Sequence, residues 1–229
     1  MKGATVVFDL DGTIVDTAPD ITAALDRTLA LDGLAPLSVD ETRPLIGGGI
    51  GTLLRRGLAF HGRAVSQARF DELAAAFLAA YIENIAVLSR PFPGLGTMLD
   101  ALDDAGIATA VCTNKREDLA RALLGQLGLD RRFRAICGGD TFAAHKPDPM
   151  HLLGTIERAG GNVEAAIMVG DSAADLGAGR AAGVPVVLVD YGYTEVPAAE
   201  LGGDALVSRL ADVPAAAERL LAARPVPLA

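Results

Sequence analysis

Lysine is nearly absent from this 229-residue chain: Lys2, Lys115 and Lys146 are the only three. Any function that needs an ammonium group, Schiff-base chemistry included, therefore has very few places to occur. Cysteine is scarcer still, with Cys112 and Cys137 in apolar surroundings and outside any Cys-x-x-Cys spacing. They read as reduced core residues, and no disulfide framework is implied. Positive charge is in deficit, 20 basic against 29 acidic residues for a formal charge of -9. A nucleic acid or an anionic membrane would call for a basic face, so neither is expected as a partner. No segment approaches the ~18 apolar residues of a membrane span, and the N-terminal stretch meets Asp9 too soon to resemble a signal peptide. The expectation is a soluble, cytoplasmic protein. Repeats are lacking too, and the one biased tract is an Ala-rich, Pro-punctuated C-terminal tail.

Apolar residues, in contrast, make up 51% of the chain, ample for one large domain or one domain with an insertion. Near-continuous apolar runs at residues 4–9, 107–113, 135–140, 166–171 and 185–190 read as strands covered on both faces. Helix-length segments at 94–105, 116–127, 148–159 and 172–182 lie between most of them. This alternation predicts an α/β fold, a doubly wound parallel sheet. From about residue 17 to 86 the rhythm breaks, with helical candidates at 19–31, 51–60 and 66–85 and no strand. The expected organisation is a core of residues 1–16 and 87–229 with a helical insertion at 17–86. Two prolines in "RPFPG", residues 90–94, mark the return as a hinge or linker.

The run "VVFDLDGTIVDT", residues 6–17, takes the first strand straight into two carboxylates. Asp9 and Asp11 flank a single Leu, so an extended backbone would point both the same way. Like charges held together need a cation or a shared proton. Wound parallel sheets bind ligands outside the carboxyl ends of their strands. Ending the other strands are Thr113 with Asn114 and Asp171 with Asp175, while Lys146 sits in the loop "AAHKPDP". Taken singly, each has an ordinary reading as a turn, loop or N-cap residue. At successive strand ends, four carboxylates, a hydroxyl and an ammonium would converge on one point.

At these residues the sequence resembles the haloacid dehalogenase superfamily. "DLDGTIVDT", "CTNK", "HKPDP" and "GDSAAD" look like its four signature motifs, in order, and the helical insertion is similar to its C1 cap. The run from "TNKRED" to "HKPDP", with "GGGIGTLL" in the insertion, resembles the phosphoglycolate phosphatase-like branch. The resemblance implies an Mg²⁺-dependent phosphatase acting on a small phosphorylated metabolite, 2-phosphoglycolate or a similar phospho-acid, through an aspartyl-phosphate. It makes Asp9 the nucleophile and Asp11 the acid and base. Magnesium would be held by the Asp9 side chain, the Asp11 backbone carbonyl and Asp171, with Asp175 orienting that shell. Thr113, Asn114 and Lys146 would meet the phosphoryl group. Arg43 and Arg55, beside the "IGGGIG" turn, would pair with a carboxylate on the leaving group.

Neighbouring chemistries fit less well. Dehalogenases of the superfamily lack the second aspartate, which is present here as Asp11. Phosphonate-cleaving relatives need a cap lysine, and none lies between Lys2 and Lys115. Sugar phosphomutases carry a His twelve residues beyond the nucleophile, where this chain has Ile21. A phospho-receiver domain is uninterrupted and shorter. Sugar phosphates or nucleotides as substrates, and a catalytically inert binding protein, stay as alternatives.

Overall fold

The computed structural model describes residues 3–194 and 196–223. Strand β1 (Thr5–Phe8) ends in a tight loop and a two-residue strand, β2 (Val15–Asp16). Four helices follow: α1 (Ala18–Leu29), the single turn α2 (Val39–Thr42), α3 (Gly49–Phe60) and α4 (Gln67–Glu83). The chain returns through β3 (Arg90–Pro91) to α5 (Leu95–Asp104), β4 (Ala108–Cys112), α6 (Glu117–Gln126), β5 (Ala135–Cys137) and α7 (Pro149–Arg158). It closes with β6 (Ala166–Gly170), α8 (Ala173–Ala182), β7 (Val186–Val189), the short α9 (Ala198–Leu201), β8 (Ala205–Val207) and α10 (Val213–Ala222). No helix among the described residues is long and apolar enough to cross a membrane.

Six of the strands form one sheet in the order β5-β4-β1-β6-β7-β8, and every pairing in it is parallel. This is the doubly wound α/β architecture that the strand and helix alternation predicts. The period of two explains its layers. Val6 and Phe8 of β1 join Val111, Ile136, Ile167, Val169 and Val187 in one buried cluster, which continues into α1, α3 and α4. Val7 joins Ala110, Cys112, Cys137, Met168 and Leu188 in a second cluster on the other face, beneath α7 and α8. Both cysteines are free and buried, as expected.

The structure departs from the sequence reading in three places. "RPFPG" is not a free linker: β3 pairs antiparallel with β2, Val15 opposite Pro91 and Asp16 opposite Arg90. Proline is tolerated there because the ribbon has only two strands and an open edge. The C-terminal tail contains helix α10, whose Val213, Ala216 and Ala217 are fully buried against the sheet. Its small side chains suit close packing, and Pro214 lies in its first turn, where no N–H is missed. Strand β8 adds a sixth strand from only three residues, too short for a periodic signal.

The helical segment leaves and rejoins the sheet domain within a few residues of the β2–β3 ribbon. Beside it, Asp20 of α1 is 2% exposed and accepts from the Leu88 N–H (2.9 Å), the Ser89 N–H (2.7 Å) and the Ser89 hydroxyl (2.7 Å). One buried carboxylate thus clips the outgoing helix to the returning strand. Replacing it takes the acceptor from the two buried Ser89 donors and from the Leu88 N–H at the surface. Asp20→Ala is expected to destabilise the fold by about 3 kcal/mol, read as a lowered urea midpoint with unchanged slope.

Candidate active site

Local sequence builds each wall of the site. After Asp9 donates its N–H to the Val169 carbonyl (2.9 Å), the chain turns back as Ile14 and Val15 donate to the Leu10 carbonyl. Gly12 makes that turn with φ of 83°, and a Cβ there would lie 2.6 Å from Asp171 Oδ2. At the end of β6, "GDSAAD" forms a capping box: the Asp175 carboxylate accepts from the Ser172 N–H (3.0 Å) and hydroxyl (2.6 Å) and from the Asp171 N–H (3.2 Å). Gly170 leaves room for it, since a Cβ would fall 2.3 Å from Asp175 Cγ.

Lys146 joins the two strand ends. Its Nζ lies 2.6 Å from Asp175 Oδ1 and 2.9 Å from Asp9 Oδ1, with its side chain 1% exposed. Burial opposes its charge, but Asp175 and Asp9 outweigh that and raise its pKa. Asp171 accepts from the Thr13 hydroxyl (2.9 Å) and the Tyr193 N–H (2.6 Å). Thr113 is buried, its N–H bonded to the Cys137 carbonyl and its hydroxyl accepting from the Lys115 N–H (3.2 Å). Asn114 donates to the carbonyls of Lys146 (3.0 Å) and Gly47 (3.2 Å), tying the strand ends to the glycine turn before α3.

The acidic cluster suits a cation. Oxygens of Asp9, Asp171 and Asp175 lie within 4.8 Å of one another. Asp9 Oδ1 is buried and, although near Lys146, receives no properly directed hydrogen bond. An all-oxygen donor set selects a hard divalent ion. The charge balance agrees, because the four carboxylates of Asp9, Asp11, Asp171 and Asp175 face the ammonium groups of Lys115 and Lys146. Without a cation, burial pushes the Asp9 carboxyl up to about 6, with Lys146 resisting. Burial, then Asp175 and Asp9, push Asp171 up to about 8. Asp175 already has donors on both oxygens, which fits it to orient the cluster.

A cavity of about 210 Å³ opens beside Asp9 and Asp11. Ile21, Ile46, Ile50, Leu53, Phe77 and Leu119 supply its apolar wall; Tyr81, Thr113, Asn114, Lys115 and Arg116 supply its polar groups. The arginines singled out from sequence lie elsewhere. Arg43 pairs with Asp40 (2.7 Å) and Asp16 (3.4 Å), and Arg55 stacks 4.6 Å above the Phe70 ring on an exposed helix face. Neither lines the cavity.

Two residues that sequence reasoning gave no task belong to the site. Lys115 donates to both Asp11 oxygens at 2.9 Å; its rarity and its place two residues after Thr113 were the available signal. Tyr193, from the loop after β7, holds Asp171 through its N–H and accepts from the N–H groups of Thr17 and Ala18 at its hydroxyl, which also bonds Asp16. Nothing in the local sequence marks it.

Fold and site together define an aspartate-centred α/β enzyme architecture with an acidic cluster at its strand ends that could hold a metal ion. Residues 6–189 match the family of haloacid dehalogenase-like hydrolases, and the chain belongs to that family. It is 48% identical over 216 residues to a phosphoglycolate phosphatase of Agrobacterium fabrum, covering 94% of this chain and 93% of that one. A phosphoglycolate phosphatase of Caulobacter vibrioides is 43% identical over 227 residues, covering 99% and 96%. Among solved structures, a predicted phosphoglycolate phosphatase from Haemophilus somnus superposes with a TM-score of 0.87 at 28% identity, covering 94% of this chain and 98% of its own.

The raised carboxyls set a pH dependence. A folded state that binds these protons more tightly than the unfolded chain keeps their contribution below about pH 4 and loses it as pH climbs through about 6 and about 8. Metal-free protein is expected to lose this stability across that window, and Mg²⁺ to raise the melting temperature more at pH 8 than at pH 5. Scanning calorimetry checks it, and Asp171→Asn should flatten the difference.

Proposed function

We propose that the chain is a phosphoric monoester hydrolase that uses Mg²⁺ and acts on 2-phosphoglycolate or a comparably small phosphorylated acid. The observation that carries this is Asp9: a carboxylate at the end of the central strand, held against Lys146, facing Asp171, with a second carboxylate two residues on. The names of the two full-length relatives described above, both phosphoglycolate phosphatases, support the substrate. The apolar wall does as well, since it offers few polar groups to a sugar's hydroxyls. Residues 17–86 act as a cap over the strand ends, and the protein works in the cytoplasm without a nucleic acid or membrane partner.

In this reading an Asp9 oxygen attacks phosphorus, the bond from phosphorus to the alkoxy oxygen breaks, and Asp11 gives that oxygen its proton. Asp11 then takes a proton from a water that attacks the aspartyl-phosphate, releasing inorganic phosphate and restoring the Asp9 carboxylate. Thr113 and the backbone N–H groups after it hold the phosphoryl oxygens, and Lys146 offsets their charge. A bound Mg²⁺, held by Asp9, Asp171 and the Asp11 carbonyl, would neutralise the approach of two anions. Asp175 keeps Lys146 and the Asp171 backbone in register.

Asp9→Asn and Asp11→Asn are each expected to lower kcat on 2-phosphoglycolate by more than about a hundredfold, with folding unchanged by circular dichroism. Chelation should abolish turnover, Mg²⁺ restore it, and Ca²⁺ fail to. In a panel of phosphorylated metabolites ranked by kcat/KM, a sugar phosphate or nucleotide at the head would overturn the substrate assignment. Full activity in excess EDTA would overturn the mechanism.

A further inference from the structure

Asp11, the proposed proton carrier, is fully engaged. Lys115 Nζ donates to both of its oxygens and the Thr17 hydroxyl adds a third bond to Oδ1 at 2.7 Å. A carboxyl pinned in this way is not free to reach a leaving oxygen. Lys115 itself is nine-tenths buried, yet it lines the cavity. Its Nζ lies 4.9 Å from the centre of the Tyr81 ring. The Tyr81 hydroxyl, which also lines the cavity, is buried close to Lys115 and makes no well-directed hydrogen bond. The other cation on that wall, Arg116, is exposed and committed to Asp118 by two bonds of 3.1 and 2.8 Å.

A poorly satisfied hydroxyl and an enclosed ammonium side by side, next to the apolar residues of the cavity, describe a receptor for a small anion. We infer that Lys115 and Tyr81 bind the carboxylate of the substrate, and that drawing Lys115 from Asp11 to that carboxylate releases Asp11 for proton transfer. This deepens the phospho-acid reading above and rests on it. The lysine has three N–H donors, two directed at Asp11 and one toward Tyr81, so a substrate carboxylate competes with Asp11 for the same group. Discrimination then acts on the chemical step as well as on binding, because a substrate without the acid leaves Asp11 pinned.

Ethyl phosphate is the diagnostic comparison, since it replaces the carboxylate of 2-phosphoglycolate by a methyl group. The wild type is expected to favour 2-phosphoglycolate by kcat/KM, with part of the preference in kcat. In Lys115→Met the ratio of the two kcat/KM values should fall by about thirtyfold or more, the worth of a charge-assisted hydrogen bond. Tyr81→Phe, a milder change that guards against misfolding, should lower the same ratio by about fivefold, chiefly through KM. An unchanged ratio in both variants, or equal proportional losses on both substrates, would overturn the assignment of Lys115 and Tyr81. A wild type that hydrolyses ethyl phosphate as well as 2-phosphoglycolate would instead overturn the phospho-acid reading beneath it.

Discussion

Negative charge crowded where β1 and β6 end is the constraint on which the rest of this structure depends. Three carboxylates cannot share a few ångströms of poorly solvated space unless something positive stands among them. Lys146 is that group within the protein, reaching from the loop between β5 and α7 to both strand ends. Its partners are fixed by unrelated devices: Asp175 by a helix capping box, Asp171 by Thr13 and a backbone N–H, Asp9 by the ladder of the central strand. The carboxylates are therefore held in place by the protein's own hydrogen bonds, and the residual charge suits them to a cation.

Above the strand ends the helices α1, α3 and α4 contribute an apolar ceiling, and the two routes between sheet and helices are tied together by the β2–β3 ribbon and by Asp20. Asn114 adds a further link, holding the Lys146 loop with the same amide that touches the glycine turn before α3.

How much of this can be read from the sequence follows from which interactions are local. The central strands are legible because each is buried on both faces, and the strand-end aspartates because turn chemistry repeats after each one. Lys146 stands out in a chain with three lysines. What stays illegible depends on long-range packing. Tyr193 meets Asp171 and the start of α1 only once β7 lies beside β6. Arg55 is near the site in sequence, yet the contact of α3 with α4 turns it onto Phe70. Strand β8 and the β2–β3 ribbon are too short to show a period, and an Ala-rich helix such as α10 resembles a tail until the surface it covers is known.

The strand order also bears on how the chain is made. β1 precedes the other strands of the sheet in the chain but occupies its middle, and its partners β4 and β6 follow it by roughly a hundred and roughly a hundred and sixty residues. The apolar strand that carries the aspartates has both edges open until β4 is made, and one edge open until β6 follows, while the helices encoded next to it can already pack on one another. The nascent chain thus carries an exposed, pairing-competent strand for longer than any other part of the sheet, which places its main risk of misassociation during translation.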